Sequence, residues 1–511
     1  MAVVDGIVVW LGAERPGRAL YPEAEVVELD GAFVAPGFVD PHVHLTGLGL
    51  RLTGLDLSGA VSLEECLALV GEYAREHRGA VVIGEGWDET RWADQRAPTP
   101  QEVDVAAGPG RLVYLVRVDA HSAVASTALL EAVPGITSAA GYTRGEPLCA
   151  EAHHLVCAEA LNRLDQMQRD RVRRAALDHA AANGIVAVHE CAGPQISGRT
   201  DVAELLELSH GVEVRVYWGE AVSTADEART LIKEFGVHGL AGDLFVDGSL
   251  GSHTAWLRAP YADRDTVGVG YLDVDAIAAH VRACTEAGIQ AGFHAIGDAA
   301  IDALAQGISR VADELGGPAV AARGHRVEHA ELMAADAIAV LARYGVLASV
   351  QPVFDAAWGG PDGMYAARLG AERAAALNPF AAMAAAGIGL AIGSDAPVTE
   401  LNPWAAVRAA ANHRTPGHGI SPRAAFAAAT RGAWRAGGVR DGVAGTLVPG
   451  APASYAVWDA AGLVVAAAAD SVQRWSTDPR SRVPGLPPLD PGAPLPRCLR
   501  TVHRGTTIYA A

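Results

Sequence analysis

Short apolar runs recur through the middle of the chain, and most of them end in a polar or ionisable residue. They fall at 36–43, 184–190, 212–218, 243–248, 291–294, 326–329, 346–352 and 389–395. Each is bounded by glycine, proline or a polar cluster and is about as long as a buried strand. Alanine-rich stretches with helical spacing, such as 274–287 and 334–344, separate many of them. Eight β units alternating with helices predict a (β/α)8 TIM-like barrel over residues 35–440.

One connection is too long for that pattern. Roughly 140 residues lie between His44 and Ile185, far more than a βα loop needs. This stretch has strand-like runs of its own at 80–84 and 112–116. It is expected to form an inserted subdomain, at about 46–180, over the barrel mouth. Short β signals also fill both ends of the chain. The expectation is a small composite β-sandwich built from 1–34 and 441–511.

Composition narrows the class. Of 511 residues, 50% are hydrophobic and 19% charged, a globular balance. The net charge of -19 argues against nucleic acid or an anionic membrane surface as partner. No apolar run approaches the ~20 residues that would span a bilayer. The six cysteines are scattered without a C-x-x-C pair, and no basic leader precedes the first apolar run. The expected setting is the cytoplasm and the expected partner a small-molecule substrate, with a homodimer left open.

The chemistry sits at the strand ends. Side chains alternate along a strand, so His42 and His44 share a face. The fifth, sixth and eighth units bring His294, His329 and Asp395 to their own C-terminal ends, the face where barrel enzymes keep their active sites. Four imidazoles and a carboxylate suit Zn²⁺, ahead of Mn²⁺ or Fe²⁺. A divalent ion lowers the pKa of a bound water to about 7. Asp395 can then take that water's proton and pass it to a leaving nitrogen. The reaction class is hydrolysis at a carbonyl or amidine-like carbon.

These residues resemble a known family. Pro36-Gly-Phe-Val-Asp-Pro-His42-Val-His44, His294-Ala-Ile-Gly-Asp298, Arg326-Val-Glu-His329 and Gly393-Ser-Asp395-Ala-Pro397 are similar to motifs of the amidohydrolase superfamily. Gly86-Trp87-Asp88, Arg117-Val-Asp119-Ala-His121 and Asp247-Gly-Ser-Leu-Gly-Ser-His253-Thr-Ala255 point to its YtcJ-like branch, which includes N-substituted formamide deformylases. The resemblance implies a metal-dependent hydrolase of non-peptide C–N bonds. A deaminase or cyclic-amide hydrolase is the alternative within the superfamily. A catalytically silent binding barrel is the alternative outside it.

The chain also departs from the family. Many members bridge two metals with a carboxylated lysine on the fourth strand, and 243–248 contains no lysine. One or two ions are therefore both open. Glu151, where the family tends to carry Glu, and Asp247, at the end of the fourth unit, are the expected replacements, ahead of Glu190. Trp87, Asp119, His121 and His253 are the candidates for contact with substrate.

Overall fold

The computed structural model describes residues 1–77, 79–464 and 485–511. Seven regular parallel strands carry the site: β1 (Phe38–Val43), β2 (Ile185–Ala192), β3 (Glu213–Trp218), β4 (Gly292–Ala295), β5 (Arg326–His329), β6 (Leu347–Val350) and β7 (Gly389–Ile392). They pair as β3-β2-β1 and as β4-β5-β6-β7. β1, β2, β4, β5 and β6 are buried along their whole length. Burial on both faces is why these segments read as continuous apolar runs rather than as alternating ones.

Backbone hydrogen bonds join the two sheets on both sides. His238 N donates to Val216 O at 2.8 Å, and Trp218 N to Gly239 O at 3.1 Å. Gly292 N donates to Leu240 O at 3.1 Å, and His294 N to Leu244 O at 3.0 Å. On the other side, Asp395 N donates to His42 O at 2.9 Å and His44 N to Ala396 O at 2.8 Å. The arrangement fits a TIM-like barrel.

The strand expected at 243–248 is not regular. Its backbone pairs with β4 through Leu240 and again through Leu244. Five residues on one side, Leu240 to Leu244, thus match three, Gly292 to His294, on the other. The two surplus residues form a bulge. Gly242 makes it possible: its φ is +81, and a Cβ there would sit 3.0 Å from the Cβ of Cys191. Asp243 is the next residue.

The flanking helices follow ordinary rules. Helix Val274–Ala287 starts where the Asp273 side chain accepts from Ala276 N, and it stops at Gly288 with φ +80. It buries Ile277, Val281 and Cys284 at helical spacing. Its bounds and those of helix Ala335–Arg343 lie within a residue of the predicted ones.

The inserted elements form one sheet. Strands Leu55–Asp56, Val82–Trp87 and Val113–Arg117 run parallel, and Ser122–Ala125 and Leu148–Cys149 continue the sheet antiparallel. Helix Gln166–Ala182 lies against helix Leu45–Thr53 instead. Gly49 permits that approach, because a Cβ there would meet Val172 O at 1.9 Å.

One early strand joins the C-terminal strands in an antiparallel sheet, while Ala2–Val4 and Ile7–Trp10 pair as a separate two-stranded sheet. Phe33–Pro36 pairs with Tyr455–Asp459, followed by Arg497–His503 and Thr506–Ala510. The expected C-terminal β region also includes 465–484, which lies outside the described residues. Trp458 anchors this sheet to the parallel strands. Its ring stands 5.8 Å from Phe38 and 5.6 Å from Trp404, and Gly184 leaves space for it. A Trp so placed is worth about 3–5 kcal/mol against alanine.

Candidate metal centre

β1 delivers its histidines by alternation, with help from two carboxylates. Asp40 accepts from His42 N and from Ser394 N, both at 3.1 Å, and so ties β1 to the end of β7. Glu190, at the end of β2, accepts from Leu45 N at 2.7 Å and holds the turn after His44. With that turn fixed, His42 and His44 point inward. His44 Nε2 lies 3.2 Å from Asp395 Oδ1, and His42 Nε2 lies 3.3 Å from the same oxygen.

The second carboxylate of the cluster is Asp243, which the sequence reading did not single out. Its Oδ2 lies 3.1 Å from His44 Nε2, and its Oδ1 lies 3.4 Å from His42 Nε2 and 3.8 Å from His329 Nε2. The bulge at Gly242 puts Leu244 and Phe245 level with His294, so Asp243 stands at the rim where the imidazoles are. It heads the same segment in which a lysine is missing, and that was the available signal.

Behind the imidazoles, further groups set their orientation. His42 Nδ1 bonds to Glu328 Oε2 at 2.9 Å, and Glu328 is held by Arg326 at 2.5 and 2.9 Å. The Arg326 guanidinium lies over the Tyr217 ring and also donates to Pro41 O. His329 Nδ1 bonds to Gln351 Oε1 at 2.9 Å. Each contact leaves Nε2 facing the cluster, the usual way a ligand imidazole is aimed. His329 and Asp395 both take left-handed backbone, φ +67 and +56. Non-glycine residues adopt that conformation at a cost and gather at functional sites.

The donor set fits a divalent ion. His42 Nε2, His44 Nδ1, Asp243 Oδ1, Asp395 Oδ1 and both ring nitrogens of His294 are buried without a hydrogen-bond partner. Ligand atoms of His42, His44 and Asp243 lie within 4.8 Å of one another, as do those of His42, His329 and Asp395. His294 borders the cluster, its ring 4.5 Å from that of His329. Burial opposes charge on Asp243 and Asp395, yet the imidazoles, His42 foremost, hold both carboxyls below their usual range. Burial, with His329 beside it, pushes His294 down to about 3, so its imidazole is neutral, the form that binds metals.

The structure does not bring every expected residue here. Glu151 is exposed and accepts from Ala140 N at 3.0 Å. Asp247 is buried, but its oxygens accept from the backbone of Trp256, Ile296 and Gly297 at 2.8–3.0 Å. Glu151 sits on the helix Ala150–Asn162 and does not join the cluster, whereas Asp247 meets only its edge, Oδ1 lying 3.5 Å from His294 Nδ1 while both oxygens brace the loop backbone. Trp87 is enclosed in the core of the inserted sheet, where Nε1 donates to Leu115 O. His253 pairs with Asp263 at 3.0 Å. Asp119 and His121 do line the cavity above the cluster. Burial opposes the Asp119 charge, and Arg117, 3.0 Å away, outweighs it. The His121 ring stands 5.1 Å from His294.

A profile of the amidohydrolase family matches residues 25–509. The putative amidohydrolase YtcJ of Bacillus subtilis is 28% identical over 435 residues, covering 80% of this chain and 79% of YtcJ. An N-substituted formamide deformylase of Arthrobacter pascens is 31% identical over 135 residues, 26% of this chain and 25% of that protein. Among solved structures, an uncharacterized metal-dependent hydrolase of Pyrococcus horikoshii OT3 aligns with a TM-score of 0.70 at 24% identity. That alignment covers 91% of this chain and 94% of the other.

Proposed function

We propose, for a chain that belongs to the amidohydrolase family, a hydrolase of non-peptide C–N bonds whose metal site uses Asp243 in place of a carboxylated lysine. One observation carries the proposal: two buried carboxylates, Asp243 and Asp395, lie 3.1–3.4 Å from Nε2 of His42 and His44. His42, His44, Asp243, His329 and His294 are the residues that would hold the ion, with Asp395 against it. Zinc suits the imidazole and carboxylate donors. The ion supplies Lewis acidity, polarising the scissile carbonyl and making water a usable nucleophile at neutral pH.

The chain's own groups do the rest. Asp395 accepts a proton from the attacking water and returns it to the nitrogen as the C–N bond breaks. Glu328 and Gln351 keep His42 and His329 aimed inward. Asp119 and His121, on the cavity wall, are placed to contact substrate. In the same reading, the paired strands form a closed eight-unit barrel, and both termini form its companion β domain. The likeness to YtcJ over most of both chains supports the YtcJ-like branch, and the likeness to the formamide deformylase supports N-formyl compounds as first substrates to try.

The test is metal analysis followed by assay of N-formyl, N-acyl and cyclic amides with the metal-loaded protein. Bound metal with turnover of one class supports the reading. Less than about one ion per chain, at a site of this donor set, would favour a catalytically silent binding protein.

A further inference from the structure

We propose that Glu85 sets substrate specificity by binding a cationic nitrogen, an ammonium group, carried by the substrate of the hydrolase described above. Glu85 lies on the inserted strand Val82–Trp87 and lines the same cavity as His44, Asp243 and Asp395. It is 8% exposed, and its Oε2 is buried without a hydrogen-bond partner. The wall around it is apolar, with Ile83, Val116 and the Tyr114 ring on the same sheet.

The neighbouring polar groups are committed elsewhere. Arg51 donates to Pro397 O at 2.5 Å and to Ser58 Oγ at 3.1 Å, and it pairs with Asp56 at 3.4 Å. Arg117 is taken by Glu89 at 2.8 Å and Asp119 at 3.0 Å. The Tyr114 hydroxyl bonds to His153 Nδ1 at 3.2 Å. Glu85 Oε2 thus has no direct partner; Arg51 and His44 favour its charge only from beyond ion-pair distance, and burial outweighs them, pushing the carboxyl up to about 8.

A buried carboxyl without a partner is costly in a folded chain. A ligand that arrives with the missing cation recovers that cost. Charge-assisted hydrogen bonds are the strong ones, most of all where water is excluded. The net charge of -19 also favours the approach of a cation. The implied substrate has an apolar body, an ammonium end against Glu85 and its scissile amide at the metal cluster.

Two measurements test this, with metal-loaded wild type and Glu85→Gln, which is isosteric and keeps hydrogen-bonding capacity while removing the charge. In calorimetry, wild type is expected to bind hexylammonium about tenfold tighter than hexanol, and the variant to lose that margin. In turnover, wild type is expected to prefer the mono-N-formyl derivative of hexamethylenediamine over N-formylhexylamine by about tenfold in kcat/KM, with the preference gone in the variant. Thermal unfolding and metal content check that the variant is folded and loaded. Equal ammonium binding by both proteins assigns the cation to another place and overturns the proposal, as does a preference that survives the substitution. Ammonium binding lost in the variant, with no turnover of either amide, counts against hydrolysis and leaves the role of Glu85 standing.

Discussion

Asp243 Oδ2 and His44 Nε2 stand 3.1 Å apart, although Asp243 enters the cluster from a bulged segment and His44 from the turn after β1. The contact puts a carboxylate where the family resemblance leads one to expect a modified lysine. Asp243→Ala is expected to lower metal content sharply while leaving the chain folded. Elemental analysis of the purified variant checks it, and unchanged stoichiometry would remove Asp243 from the ligand set.

Asp247 should behave in the opposite way. Asp247→Ala orphans three backbone N–H groups, each worth about 1–3 kcal/mol when buried and unpaired. The expected outcome is a clear loss of stability in denaturant titration, with metal stoichiometry retained in the folded protein. Glu151→Ala, at an exposed carboxylate, should change neither.

His42→Ala and His329→Ala each remove a proposed ligand at a strand end without carving a large core cavity. Both are expected to lose metal and keep their far-ultraviolet circular dichroism. Full metal retention in both would refute the assignment.

Asp395→Asn keeps an oxygen that can face an ion but cannot carry the proton. Turnover should fall by about 10²–10⁴, the usual contribution of a general base, with a smaller effect on metal content. Activity within about tenfold of wild type would exclude Asp395 as the base.

Glu328 acts through His42. Glu328→Gln weakens the contact that orients His42 Nδ1, and metal affinity is expected to drop about 10–100-fold. Competition with a chelator measures this without reference to turnover.

Acid stability has a separate source. Glu204 accepts from Arg169 at 2.6 and 2.8 Å and from Arg173 at 2.7 Å, and the Arg169 bonds foremost hold its carboxyl down to about 2. A carboxyl lowered on folding stabilises the native state above its unfolded pKa, near 4.5, and loses that contribution as pH falls toward 2. Glu204→Gln should therefore be less stable than wild type at neutral pH, with the gap closing between about pH 4.5 and pH 2. A gap that is constant over this window would show that the ion pair does not contribute.

Much of the site was legible in the residues themselves. Apolar runs with breakers at their ends located β1 through β7, and two-residue alternation put His42 and His44 on one face. Those are local rules, read within a single segment. Asp243 was not legible, because its place depends on five residues pairing against three of β4, a mismatch that exists only once both segments meet. The same holds for Glu328, whose value lies in reaching His42 from 286 residues away. It holds as well for Trp87, expected at the substrate, and Asp247, expected at the metal, whose hydrogen bonds are made with buried backbone instead. Residue type and spacing determined which groups could serve a metal. Long-range pairing and burial decided which of them face one another.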